Sequence, residues 1–170
     1  LKSAYPHLVD ANESLQKVNL DVIPSDQQTA LKELQSRLPI LVSSANEFLT
    51  LFETIQTVLG VNGSKRYLLV FQNNTEIRPT GGFMGSFAEL KVHDGIIEKL
   101  TVPGGGTYDL QGWLKDSLIA PGPLQLLKAR WEFQDANWFP DFPSSARQIL
   151  QFYKNAGGSD IDGVIAINAT

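Results

Sequence analysis

The sequence predicts an α/β fold: a mixed β-sheet flanked by α-helices and preceded by an N-terminal helical hairpin. Three observations carry this. Up to Leu59, apolar residues recur every three or four positions. Beyond residue 64 the period changes to short continuous apolar runs bounded by turn residues. Segments of helical spacing separate those runs, so strands and helices alternate.

Leu8, Ala11, Leu15 and Val18 share one helical face, which predicts a helix over 5–20. Pro24 breaks it, and Ser25 or Asp26 can cap the next helix by accepting hydrogen bonds from its free N–H groups. That helix, 26–59, carries Leu31, Leu34, Leu38, Leu41, Ala45, Phe48, Phe52, Ile55 and Leu59 at the same period. Pro39 is expected to kink or divide it, because proline has no N–H and crowds the preceding turn. Gly60 and Asn62-Gly63 end it. Two antiparallel helices hide both stripes against each other, so residues 1–62 read as a helical hairpin or stalk.

Residues 67–71 form a continuous apolar run, the pattern of a strand buried on both faces. Strands at 82–92 and 96–102 flank the turn His93-Asp94-Gly95 and make a hairpin. Pro103-Gly104-Gly105-Gly106 is a mobile or unusually shaped loop. A short helix is expected within 121–130. A longer one is expected over 143–155, with Pro143 in its first turn and Ala146, Ile149, Leu150 and Tyr153 on one face. Gly157-Gly158 stops it, and 163–167 is a final core strand. Residues 63–170 are thus the α/β domain. A start at Leu1, not Met, and an end straight after an apolar run give the expectation of a fragment cut at both ends, its α/β domain truncated at the C-terminal side. The strand edge so exposed invites pairing with a second copy.

Composition excludes several chemistries. Of 170 residues, 42% are hydrophobic and 19% charged, which suits a folded domain with an added helical segment. A net charge of -4 argues against a general nucleic-acid binder. Without cysteine there is no disulfide, thiolate metal site or thiol nucleophile. The two histidines, His7 and His93, stand in unlike contexts, which disfavours a histidine metal site or a Ser-His-Asp triad. No apolar stretch approaches the roughly 20 residues of a membrane helix.

Three clusters are candidates for chemistry. The first, 72–83, puts polar residues directly after a core strand, where open α/β sheets collect ligands. Arg78 offers a planar donor fork for phosphate or carboxylate, and Gly81-Gly82 lets backbone N–H groups approach an anion. The competing reading is a plain connection in which Arg78 pairs with an acidic neighbour. In 131–143, aromatic residues interleave with Asp135, Asn137 and Asp141. The two carboxylates are either ligands or acid/base groups in a pocket wall, or caps of turns and of the following helix. Asp109, Asp160 and Asp162 are weaker candidates that serve turns equally well.

The stretch 67–86 (YLLVFQNNTEIRPTGGFMGS), with 135–146 (DANWFPDFPSSA) and 164–167 (VIAI), resembles the bacterial domain of unknown function, family 4012. The resemblance covers about 65–170. It implies a larger protein with a membrane helix upstream and a domain outside the cytoplasm, and supplies no activity. Gln134 stands where that pattern often has Arg.

More distantly, the order of strand, Arg78, hairpin, Val-Pro loop, Asn137 segment, helix and Ile-Asp-x-Val strand is similar to the LytR-CpsA-Psr family. Those proteins attach glycopolymers from polyprenyl-pyrophosphate carriers to the cell wall, using Arg residues and Asp-held magnesium. On that analogy Arg78, Asn137 and Arg147 bind the ligand, and Asp109, Asp135 or Asp141 holds magnesium. Pro79-Thr80-Gly81 and Pro103-Gly104-Gly105 depart from the charged residues of that family. The expected protein is a membrane-anchored, extracytoplasmic envelope protein that binds, and in its catalytic version transfers, a polyprenyl-phosphate-linked glycopolymer. The alternative is a non-catalytic surface scaffold or assembly module with the same fold. Arg78, Asp135 and Asp141 are expected around one cleft, with Asp109 nearby.

Overall fold

The computed structural model describes residues 1–115 and 117–169, and the chain divides into two compact units, Leu1–Val58 and Leu59–Thr170. In the first, α1 (Tyr5–Gln16) and α2 (Ser25–Val58) lie antiparallel, with Lys2 paired to Glu53 at 2.9 Å and Gln16 beside Gln35. α1 stops at Gln16 rather than at residue 20. Beyond it the Asn19 side chain accepts from the Asp21 N–H at 2.9 Å, and a 3-10 turn, Leu20–Val22, follows. Such a local bond offers the backbone an alternative to the helical ladder.

Pro39 does not divide α2, which runs unbroken through it. The missing N–H would have bonded the Gln35 carbonyl, four residues back. Gln16 Nε2 donates to that carbonyl instead, at 2.7 Å. Gln35 Nε2 returns to Leu15 O at 2.9 Å and Val18 O at 3.3 Å. The helix–helix seam thus repairs the ladder at the one position where proline opens it.

The expected apolar stripe of α2 is only partly covered. The sheltered seam runs through Leu31, Gln35, Leu38, Val42, Ala45 and Leu49. Leu34, Leu41, Phe48, Phe52 and Ile55 remain 44–56% exposed. Face is the reason: contacts from Gln16–Gln35 to Lys2–Glu53 run along most of α2, but a single helix covers only one seam of its neighbour.

The second unit is a mixed α/β fold. β1 (Lys65–Asn73), β2 (Phe83–His93) and β3 (Ile96–Thr101) precede a short ribbon of β4 (Leu118–Ile119) and β5 (Arg130–Trp131). α3 (Phe142–Asn155) and β6 (Gly163–Ala169) follow. The main sheet has the order β3-β2-β1-β6, with β1 antiparallel to β2 and parallel to β6. Asp94 (φ 49°) and Gly95 (φ 74°) make the expected β2–β3 turn, where two left-handed residues match the twist of the strands. The helix expected within 121–130 is a 3-10 turn, Gly122–Leu126; the Ala120 N–H bonds Ala129 O at 3.0 Å, drawing the chain into the β4–β5 ribbon instead.

The core lies on one face of the sheet, where Leu68, Val70, Met84 and Phe87 meet Phe133, Ala136, Ile149, Phe152 and Tyr153. β1 is not buried on both faces: Leu68, Val70 and Gln72 are buried, whereas Tyr67, Leu69 and Phe71 are half-buried. Phe152 packs edge-on against Trp131, with ring centroids 5.5 Å apart.

Two outcomes are expected. Phe152→Ala, at a fully buried position, costs about 3–5 kcal/mol in urea unfolding, a large share of a domain's stability. In a double-mutant cycle on Gln16 and Pro39, Gln16→Ala destabilises the native sequence by about 1 kcal/mol but changes little in a Pro39→Ala background, where the Gln35 carbonyl regains a helical donor. Equal effects in both backgrounds would refute the repair.

Candidate functional site

Because β1 and β6 are parallel, their carboxyl ends emerge side by side, at Gln72–Asn73 and Asn168–Ala169. The loop between β1 and β2 folds back over them. Gln72, fully buried, donates from Nε2 to Thr80 Oγ1 at 3.1 Å. Asn137, 1% exposed, donates from Nδ2 to the Gly82 carbonyl at 2.8 Å. The glycines are required by close approach. A Cβ on Gly82 would lie 2.1 Å from Asn73 O, and one on Gly81 (φ 137°) 2.5 Å from Gln72 Oε1 and 2.7 Å from Asn168 Oδ1. Among the described residues, Gln72 Oε1 and Asn137 Oδ1 are buried acceptors with no donor. Each is a natural seat for an ordered water.

The charged candidates are engaged locally. Arg78 Nη2 pairs with Glu76 Oε1 at 2.8 Å, its Nη1 donates to Ile77 O at 3.1 Å, and its guanidinium lies over the Phe83 ring at 5.4 Å. Asp135, 5% exposed, sits 2.6 Å from Lys128 Nζ. Burial works against the Lys128 charge, but hydrogen bonds to Asp135 and Glu132 outweigh it and hold the amine above the usual lysine range. Asp141 caps α3, its carboxylate accepting from the Ser144 N–H at 2.9 Å. That amide bond, with the Ser144 hydroxyl and the charge of Arg147, holds the Asp141 carboxyl below the usual carboxylate range. Arg147 Nη2 donates to Ser144 Oγ at 2.9 Å. Asp162 accepts from Lys65 Nζ at 2.7 Å and from the Arg66 N–H at 2.9 Å, and Asp160 pairs with Lys154.

The Gly-rich loop is shaped rather than open. Asp109 Oδ2 accepts from the Gly105 N–H at 2.9 Å, within a 3-10 turn over Gly106–Trp113. Gly106 (φ 61°) touches the sheet so closely that a Cβ would lie 2.4 Å from Gly85 O. The β1–β2 register slips at this point: Phe71 faces Ser86 and Gln72 faces Met84, leaving Gly85 unopposed. Buried Thr107 takes up the carbonyls there, donating to Met84 O at 2.9 Å and approaching Gly85 O at 3.3 Å.

The structure therefore brings the Arg78 loop and Asn137 together at Gly82–Phe83. None of the principal cavities is lined by two of Arg78, Asp135 and Asp141. Among the described residues, no group of three or more His, Cys, Asp or Glu side chains is placed to hold a metal ion. Asp109, Asp135 and Asp141, each on its own partner, do not fit the magnesium site that the LytR-CpsA-Psr analogy implies. The opening nearest the strand ends is an apolar cleft of about 670 Å³ along Thr80-Gly81, Pro140, Phe142 and 164–166, which none of the charged candidates lines. Sequence reading missed Gln72 and Thr107 as buried polar anchors. For Gln72 a signal exists, since it continues the Leu68-Val70 alternation onto the core face.

An N-terminal helical hairpin joined to a mixed α/β unit, its strand-end loop locked by buried amides, defines the class of protein. The chain belongs to the family described as protein of unknown function (DUF4012), whose family model matches residues 62–170. No curated protein and no solved structure matches the chain, and a likeness to LytR-CpsA-Psr proteins is not shown.

The cap on α3 has a pH signature. A carboxyl depressed by folding contributes stability above its unfolded pKa of about 3.9, and that contribution is lost as pH falls through the lower folded pKa. Asp141→Ala is therefore expected to lower Tm near neutral pH, and the gap from the native sequence to close as pH falls through the lowered folded pKa. A gap that persists undiminished in acid would show that the cap does not act through the ionised carboxylate.

Proposed function

We propose that the α/β unit is a non-catalytic binding and assembly module of a membrane-tethered envelope protein. One observation supports the non-catalytic part: each charged side chain that would carry chemistry has a partner of its own inside the fold. Arg78 serves Glu76 and its own loop, Asp109 the Gly105 N–H, Asp135 Lys128, and Asp141 the helix cap. A transferase of polyprenyl-linked glycopolymer needs cations and a metal converging on one pyrophosphate. The envelope setting and the tether, supplied by a segment outside this chain, follow from the sequence resemblance. In this reading the apolar cleft along β6 is the place for a partner or lipid chain, bound without turnover.

The test is incubation of the chain with a polyprenyl-pyrophosphate-linked glycan, an acceptor glycan and magnesium, following release of the lipid. The expected result is no release beyond a protein-free control, and Arg78→Ala with a Tm close to native, since partly exposed ion pairs contribute little. Magnesium-dependent release that Arg78→Ala abolishes would overturn the proposal in favour of the transferase.

A further inference from the structure

Away from the strand ends, three cations stand in a row across the sheet. Arg66 on β1 is the cross-strand partner of Lys91 on β2, and Lys91 is the partner of Lys99 on β3. Directly paired residues point to the same face, so all three side chains rise together at a spacing of about 4.8 Å per strand. Like charges placed opposite one another destabilise a sheet. Here two such pairs occur in succession, in a chain whose net charge is -4.

The row borders a compact pocket of about 250 Å³, completed by Glu89, Thr101 and Ser159. Lys91 bonds Glu98 at 2.7 Å, which leaves two of its three N–H donors. Among the described residues, neither Arg66 nor Lys99 has an ion-pair partner; Asp160, which feels the Arg66 charge, pairs with Lys154. The Glu89 carboxylate is held on the α3 side of the pocket by the Tyr153 hydroxyl and by Ser159 Oγ at 2.9 Å. The β2–β3 register also slips between Lys91 and Val92, a bulge of the kind that re-aims side chains beside binding sites.

We propose that Arg66, Lys91 and Lys99 form a binding site for a linear oxyanion carrying two or more phosphate groups. A single orthophosphate is too small to satisfy a row about 10 Å long, whereas linked phosphates bridge neighbouring cations and relieve their repulsion. The Thr101 hydroxyl supplies a further donor at the pocket wall. Among the described residues no aromatic side chain lines the pocket, so the site reads phosphates and not a base. The site is separate from the strand-end loop, and the proposal holds whether or not the module is catalytic.

The experiment is an NMR titration of the full chain with orthophosphate, pyrophosphate and tripolyphosphate at matched ionic strength. Affinity is expected to climb with each added phosphate, with shifts centred on residues 66, 91, 99 and 101. Arg66→Gln and Lys99→Gln each weaken pyrophosphate binding on the order of tenfold, the scale of one charge-assisted hydrogen bond. Glu98→Gln, which frees Lys91, strengthens it, an effect that damage to the fold would not produce. ADP is expected within about threefold of pyrophosphate, because the phosphates are shared and nothing stacks on the base. Equal affinity for all three anions, no saturable binding at about 10 mM, or pyrophosphate binding unchanged in the Arg66→Gln/Lys99→Gln variant would each overturn the proposal. ADP binding more than tenfold tighter than pyrophosphate would overturn the claim that phosphates alone are read.

Discussion

The α/β unit depends on β1 being paired along both edges. Antiparallel pairing with β2 builds the hairpin side of the sheet, and parallel pairing with β6 brings in the last strand from the far side of α3. A strand held on both sides has few places to send its backbone groups, so its register dictates the rest. Leu68 and Val70 anchor the core beneath α3, and the same alternation carries the polar Gln72 to a fully buried position at the strand end. There a polar group must find a partner or cost free energy. The β1–β2 loop supplies that partner through Thr80.

That requirement explains the glycines and amides of the family motif without a ligand. Gly82 lets the loop backbone lie against Asn73, and Asn137 reaches across from the segment before α3 to hold the Gly82 carbonyl. Gly106 does the same work on the other loop, where it lies against the Gly85 bulge and positions Thr107 on the freed carbonyls. Motif residues that look like an anion cradle in sequence are backbone contacts in the fold. The contrast with the row of Arg66, Lys91 and Lys99 is physical. The buried amides at the strand ends hold the loop through Thr80 and the Gly82 carbonyl, whereas in the row Lys91 has an ion-pair partner in Glu98 and Arg66 and Lys99, among the described residues, have none.

The helical hairpin has its own constraint. Proline inside a helix removes one ladder bond, and a helix that must stay straight needs another donor there. Gln16 provides it, which ties the position of α1 to the position of Pro39. Helix α1 shelters one seam of α2, through Leu38, Val42, Ala45 and Leu49, and leaves Leu34, Leu41, Phe48 and Phe52 on an uncovered face.

Local pattern by itself determined the element types. The change of apolar period near residue 60, the Asp94-Gly95 turn, the strands on either side of it and the helix begun by Pro143 are all set within a few residues, and all recur in the structure. Period alone also placed an apolar stripe on α2. It did not tell which of its neighbouring seams is covered, because that depends on where α1 packs. The roles of the charged residues were likewise illegible. Arg78, Asp109, Asp135 and Asp141 are ambiguous in sequence between site and cap, and only the fold showed Glu76, the Gly105 N–H, Lys128 and the Ser144 N–H within reach of them. The cation row was invisible for the same reason. Lys91 and Lys99 share one hairpin, but Arg66 comes from another strand, and only strand register, including the bulge that sets Lys91 opposite Lys99, brings all three side by side.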